Sequence, residues 1–384
     1  MTARRGSDLF RVAGIRIAVD SSWLVIVLLV LWSLSAGYFP RAYPGYSAAE
    51  YWGIGAAATA LFFVSVLVHE LSHALVANRA GQVVRRITLF IFGGMAHLTR
   101  EPKNAAIELR IAAVGPATSL VLGAVFWGIS LWTARSGVGR LWVAMFEYLA
   151  VINGALAVFN LLPGFPLDGG RILRAALWLW WGDLRRATAR AADWGSGIAF
   201  GLMALGVWQI FHGILIGGLW LVFIGMFLRG AARASYQSVL VEQLLGGARV
   251  GDLMVTDPVV VPGELTVSEA VDEYFVRHGY AGYPVGRDGE IEGLVSLRQI
   301  RDAPPAERTR RRIRDIMRPA DARLRIPARA QLSEALRRMQ EADTGRLLVT
   351  EGERVIGLIT RTGIARFIQL KAETEGEEQA VLAG

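Results

Sequence analysis

Cysteine is absent from the 384 residues, and histidine is nearly so, with five. The first absence excludes a disulfide framework and any thiolate metal site, which leaves His, Asp and Glu as metal donors. Charge is sparse as well: Asp, Glu, Lys and Arg make up 19% of the chain, and long stretches carry almost none. Those stretches end near residue 228, beyond which the charge rises sharply. With 53% hydrophobic residues gathered into runs of span length, the chain reads as a membrane region followed by a soluble one. The formal charge of +8 carries no nucleic-acid signal, because the excess arginine lies between apolar runs, where it reads as topology.

Six spans are expected. The first covers about residues 23–38, opened by the cap candidates Asp20, Ser21 and Ser22. Arg4, Arg5, Arg11 and Arg16 precede it with no small-residue cleavage site, so it reads as a retained anchor. The second starts at Ser47, whose spacing to Glu50 resembles a capping box, and ends near Arg79. The third, residues 112–133, is entered by Gly115-Pro116, and the fourth covers 142–162. The apolar region 195–228 is too long for one span and divides at His212-Gly213 into a fifth and a sixth. Arginines cluster before span one and after spans two, four and six, which places both termini in the cytoplasm of a cell membrane. Residues 171–193, with five arginines and three tryptophans, read as an interfacial amphipathic helix.

Residues 81–101 are too short and broken to span. Val84, Ile87 and Leu89 favour a strand and Gly93-Gly94 a turn, so a re-entrant β-hairpin is expected. Backbone of that kind is tolerated at membrane depth only against protein or a wet cavity. Its exposed edge could pair with an extended peptide.

The second span contains His69-Glu70-Leu71-Ser72-His73 within an apolar run. Residues four apart share one helix face, so both imidazoles can reach a single Zn²⁺ with Glu70 beside its open position. An ionisable cluster at membrane depth is a functional-site hypothesis by default. A hydrolytic zinc needs a third protein ligand. Asp168 is the choice: it follows Pro163 and Pro166 and precedes Gly169-Gly170, which puts a carboxylate on unwound backbone at the membrane. His97 is the rival, on a loop that offers a metal ligand little support. Glu70 is expected to take a proton from the attacking water and pass it to the leaving amine. Asn160 either donates to the oxyanion or to substrate backbone, or caps the end of its helix.

A membrane-embedded H-E-x-x-H followed by N-x-x-P-x-x-P-L-D-G, here Asn160 to Gly169, resembles the site-2 protease family of intramembrane zinc metalloproteases. The likeness covers about residues 10–230. It implies cleavage within or near the transmembrane segment of another protein, often a membrane-tethered regulator. It also implies His69, His73 and Asp168 as zinc ligands and Glu70 as general base.

The remainder repeats. Val250-Gly251-Asp252-Leu253-Met254 matches Ile313-Arg314-Asp315-Ile316-Met317, and Gly293-Leu294-Val295-Ser296 matches Gly357-Leu358-Ile359-Thr360. Each half is too small to bury a good core alone, so the two should pack together. The duplication resembles a CBS-domain pair, which implies a regulatory module, a homodimer contact and an adenine nucleotide in a cleft between repeats. Family members hold ribose with an Asp or Asn three residues after the Ser or Thr; this chain has Gln299 and Gly363 there, which argues against a nucleotide. A cleft with Arg298 or Arg361 still favours an anion.

The fold class expected is therefore a membrane all-α region of six transmembrane helices with a re-entrant β-hairpin, plus a soluble α/β tandem CBS pair. The expected boundaries are 1–230 for the protease region, 231–249 for a linker, 250–309 and 310–370 for the repeats, and 371–384 for a disordered tail. The partners expected are a membrane-spanning protein substrate and the bilayer, with no nucleic acid. The competing reading is a CBS-gated membrane zinc or ion carrier, which would need polar residues on several spans.

Overall fold

The structure, a computed structural model, describes residues 7–91, 93–98, 104–137, 139–287 and 290–374. It divides into two compact units, Met1–Tyr236 and Gln237–Gly384.

The first unit opens with a hairpin that the sequence reading passes over. Strands β1 (Ser7–Val12) and β2 (Ile15–Val19) are antiparallel and turn at Ala13-Gly14, both with positive φ. Helix α1 (Ser21–Trp32) is capped by Asp20, which accepts from the Ser22 N–H at 2.9 Å. It continues through a π-helical turn and α2 (Phe39–Ala42), so the first candidate span reaches Ala42. Helix α3 (Ala48–Arg79) carries the histidine motif and begins with the Ser47–Glu50 capping box. The hairpin expected next is present as β3 (Val84–Phe90) and β4 (Gly93–Leu98). It belongs to a four-stranded sheet in the order β1-β2-β3-β4, with β2 parallel to β3. Among the described residues β4 is an edge of that sheet.

Helix α4 (Ala105–Arg135) starts earlier than the sequence suggested. The Asn104 side chain caps it by accepting from the Ile107 N–H, so Gly115-Pro116 lies within the helix. Helix α5 (Arg140–Asn160) ends in turns over residues 161–167, and α6 (Asp168–Trp181) follows. The proline-rich segment is unwound as expected, but Asp168 itself is the first residue of a helix. The single interfacial helix expected over 171–193 is two helices. Gly182 takes a left-handed φ of 70° and Asp183 then caps α7 (Leu184–Phe211) through the Arg185 and Arg186 N–H groups. Helix α8 (Leu215–Leu244) follows the His212-Gly213 break.

Six helical segments among the described residues are long and apolar enough to cross a membrane: Ser21–Ala42, Ala48–Arg79, Ala105–Arg135, Arg140–Asn160, Leu184–Phe211 and Leu215–Glu242. Their outer faces expose Phe211 and Ile216 at 84% and 85%, a surface that suits lipid rather than water. Helix α4 packs against α3, α5 and α6 and so lies at the centre of the unit.

In the second unit, α9 (Val250–Leu253), α10 (Val267–Ala270), β5 (Gly282–Arg287), β6 (Glu290–Ser296) and α11 (Leu297–Asp302) form the first repeat. The second repeat has α12 (Ile313–Ile316), β7 (Arg318–Pro319), β8 (Arg325–Pro327), α13 (Leu332–Glu341), β9 (Arg346–Glu351), β10 (Arg354–Thr360) and α14 (Arg361–Thr374). The backbones of the two repeats meet at two places. Strand β7 pairs with β6, and Val255 bridges to Leu358 of β10. Helix α14 runs to Thr374, past residue 371 where the tail was expected to start; residues 375–384 of that expectation lie outside the described residues.

Candidate metal centre

Helix α3 presents His69 and His73 on one face, as their spacing requires. Their Nε2 atoms are 3.2 Å apart. Asp168, in the first turn of α6, brings Oδ2 to 3.2 Å from His69 Nε2 and 3.1 Å from His73 Nε2. Among the described residues these three make the one group of His and acidic side chains whose donor atoms could share an ion. The backbone of His97 lies in β4, and its side chain is outside the described residues.

The donor set suits zinc. His73 Nδ1 lies 2.6 Å from the Ile111 carbonyl oxygen, which can only accept. The ring proton therefore sits on Nδ1, and Nε2 turns a lone pair inward. His69 Nδ1 is held 2.9 Å from the Ser119 hydroxyl, which leaves its Nε2 inward as well. Two imidazole nitrogens and a carboxylate oxygen thus face each other in a nearly dry site, an arrangement that asks for a cation between them. Ligand atoms about 2.0 Å from a tetrahedral zinc stand about 3.3 Å apart, close to the separations found here.

Glu70 turns toward the sheet. The Gly94 N–H of β4 donates to its carboxylate, and a Cβ added at Gly94 would fall 2.7 Å from Glu70 Cδ. The strand can come this close because position 94 has no side chain. Asn160 is the last residue of α5 and half-buried; among the described residues its side chain has no hydrogen-bond partner, so it does not serve as a cap.

Sequence reasoning missed the helix that supports the site. Along α4, the Ile111 carbonyl, Gly115 and Ser119 all meet the imidazoles. A Cβ at Gly115 would fall 2.5 Å from His73 Cε1 and 2.8 Å from His69 Cε1. Glu108, fully buried on the same face, is ion-paired with Arg174 of α6, while Arg171 approaches it at 3.9 Å. In the sequence Arg174 falls in the arginine cluster after span four, which reads as topology. The available signal was a stripe: Glu108, Gly115 and Ser119 recur at helical spacing in an otherwise apolar helix.

The second unit holds a cavity of about 360 Å³ between the repeats, lined by Ser296, Arg298 and Gln299 from one and Arg318, Asp343 and Arg346 from the other. Gln299 is turned back to accept from the Ser296 N–H at 3.0 Å and so caps α11.

Comparison with known proteins agrees with both halves of this description. The model of peptidase family M50 matches residues 57–137 and 129–204, and the CBS-domain model matches 250–306 and 313–370. Rip3 of Mycobacterium tuberculosis, which bears the name zinc metalloprotease, is 41% identical over 369 residues, spanning 96% of this chain and 94% of the relative. The zinc metalloprotease MJ0392 of Methanocaldococcus jannaschii is 32% identical over 321 residues, 82% of this chain and 86% of its own. The solved site-2 protease from Methanocaldococcus jannaschii aligns with 60% of this chain and 95% of its own, at 26% identity and a TM-score of 0.42.

Proposed function

The chain belongs to peptidase family M50 as a zinc metalloendopeptidase of the site-2 protease type, multi-pass in the membrane and acting on membrane proteins, and on that premise we propose which residues do the work and on what. His69, His73 and Asp168 hold the zinc. The observation that carries this reading is the convergence of their three donor atoms at 3.1–3.2 Å, with His73 locked in the tautomer that frees Nε2.

When bound, the ion supplies Lewis acidity, which acidifies water and polarises a carbonyl. Glu70 accepts the proton of the attacking water and delivers it to the amine that leaves. Gly94 holds the Glu70 carboxylate in place. Asn160 donates from its unengaged amide to the substrate carbonyl or backbone.

The substrate we propose is a single transmembrane segment of a membrane-anchored regulator, cut in or near the bilayer. An intact helix hides its peptide bonds, so the segment must be extended where it is cut. β4, an edge strand whose Gly94 touches Glu70, offers such a segment backbone partners beside the general base. This use of β4 goes with the hairpin being re-entrant at membrane depth. Both termini face the cytoplasm in this reading, from the placement of arginine between spans. The CBS pair modulates cleavage and forms the contact of a homodimer, with residues 231–249 as linker. Nucleic acid has no part in it. In the CBS cleft, Arg298, Arg318 and Arg346 favour an anion, while the missing carboxylates at 299 and 363 count against an adenine nucleotide.

The test is cleavage of single-span reporters by the full chain in liposomes, before and after zinc is stripped and restored, with and without added ATP or AMP. Zinc-dependent cleavage inside the span supports the proposal. Zinc binding without cleavage of any reporter would favour the carrier reading instead.

A further inference from the structure

We infer that the buried Glu108–Arg174 ion pair is a positioning device: it sets the angle at which α6 delivers Asp168 to the paired imidazoles. The inference rests on the ligand assignment proposed above and goes beyond it.

Glu108 is 0% exposed and Arg174 4%. Withdrawing both charges from water is expensive, and a well-packed apolar pair of similar volume often serves stability as well or better. Stability alone therefore does not account for the pair, and its place in the fold suggests what does. One face of α4 carries Glu108, then the Ile111 carbonyl bonded to His73, then Gly115 against both rings, then Ser119 bonded to His69. One short helix, α6, carries Asp168 in its first turn and Arg174 less than two turns later. The pair thus references the carboxylate to the same helix that references the imidazoles.

The guanidinium has a second hold. Arg174 Cζ lies 5.1 Å from the centroid of the Phe165 ring, in the turn that leads into Asp168. The Phe165 N–H donates to the Ala191 carbonyl at 3.2 Å. Arg174 thereby ties α4, the 161–167 turn and α6 together at one point. Its Nε donates to Glu108 Oε1 at 2.8 Å, with a second, shorter contact from the other arm of the fork. Both N–H groups converge on the one oxygen, Oε1, from a rigid planar group, a hold that a lysine's single flexible ammonium would not reproduce.

The experiment uses the full chain in detergent. Zinc affinity is read by chelator competition, coordination by the visible spectrum of the Co²⁺-loaded protein, and folding by the thermal transition. Asp168→Asn is the reference for a lost third ligand. The double variant Glu108→Gln/Arg174→Met removes both charges of the pair and leaves only Arg171, which is partly exposed, without its distant carboxylate, so it is expected to fold. We expect it to bind zinc about 10–100-fold more weakly than wild type, the usual effect of losing a group that orients a ligand. Its Co²⁺ spectrum should move toward that of Asp168→Asn. Arg174→Lys keeps the charge and loses the fork, and should fall between. A folded double variant with wild-type zinc affinity and spectrum would overturn the inference. So would failure of both the double variant and Arg174→Lys to fold, since the pair would then be a requirement of the fold. If Asp168→Asn itself binds zinc like wild type, the ligand assignment fails, which is a separate result.

Discussion

The two units handle charge in opposite ways. In the core of the membrane unit charges are few, buried and directed at one place: Glu108 and Arg174 have side chains 0% and 5% exposed, and both histidines of the motif are buried. In the CBS unit charges are many and spread over the surface. Arg298 and Asp343, paired across the repeats, are 61% and 80% exposed, and Glu264 pairs with Arg312 and Arg314 in the open. Water stabilises each of those charges without its partner, so exposed pairs contribute little. In the core of the membrane unit nothing replaces a lost partner. A single atom there should matter more than an entire ion pair in the CBS unit.

The largest effect expected is loss of a donor. Asp168→Asn or His73→Ala should leave the purified chain without stoichiometric zinc and cleavage of a single-span reporter at background. Retained zinc at wild-type affinity in either variant would remove that side chain from the ligand set. Next comes Gly115→Ala, which adds one carbon 2.5 Å from His73 Cε1. The rings must shift, and a misplacement of about 1 Å costs about 10²-fold in rate. A rate within a factor of two of wild type would show that α4 does not fix the rings. Ser119→Ala frees the His69 ring without pushing it, so zinc affinity or rate should fall about 10–100-fold.

The stability contrast is sharper still. Glu108→Gln alone strands a guanidinium and should cost about 3–5 kcal/mol of stability, read as a fall in the thermal transition. Asp343→Asn should lower the thermal transition only slightly at neutral pH, because the pair is exposed, and leave cleavage unchanged. Arg298 holds the Asp343 carboxyl below its usual range. A depressed acid contributes above its unfolded-state pKa of about 3.9 and loses the contribution as pH falls through its folded value. The variant's small deficit should therefore be present at neutral pH and fade as pH falls below about 4.

The same contrast explains what the sequence could reveal. The motif on α3 was legible because two imidazoles four apart announce their chemistry, and Asp168 because two prolines and two glycines mark its segment. The repeats were legible because a duplication compares itself. Helix α4 was not, since its contributions are a backbone carbonyl, a missing Cβ and one hydroxyl, none with a signature of its own. Its first turns, including Glu108, lie outside the span expected over 112–133, because charge interrupts the apolar run there; burial against α6 accommodates it. The β1–β2 hairpin went unseen for a similar reason: its arginines drew attention to topology, while Ile15 and Ile17, both buried, mark the strand that pairs with β3.

The most direct test of the account is cleavage of a membrane-embedded single-span reporter by Glu70→Gln, with zinc content measured on the same preparation. The account predicts a chain that folds and carries zinc like wild type while its cleavage falls by about 10²–10⁴-fold, the usual worth of a positioned general acid–base. Undiminished cleavage by that zinc-loaded variant would contradict it.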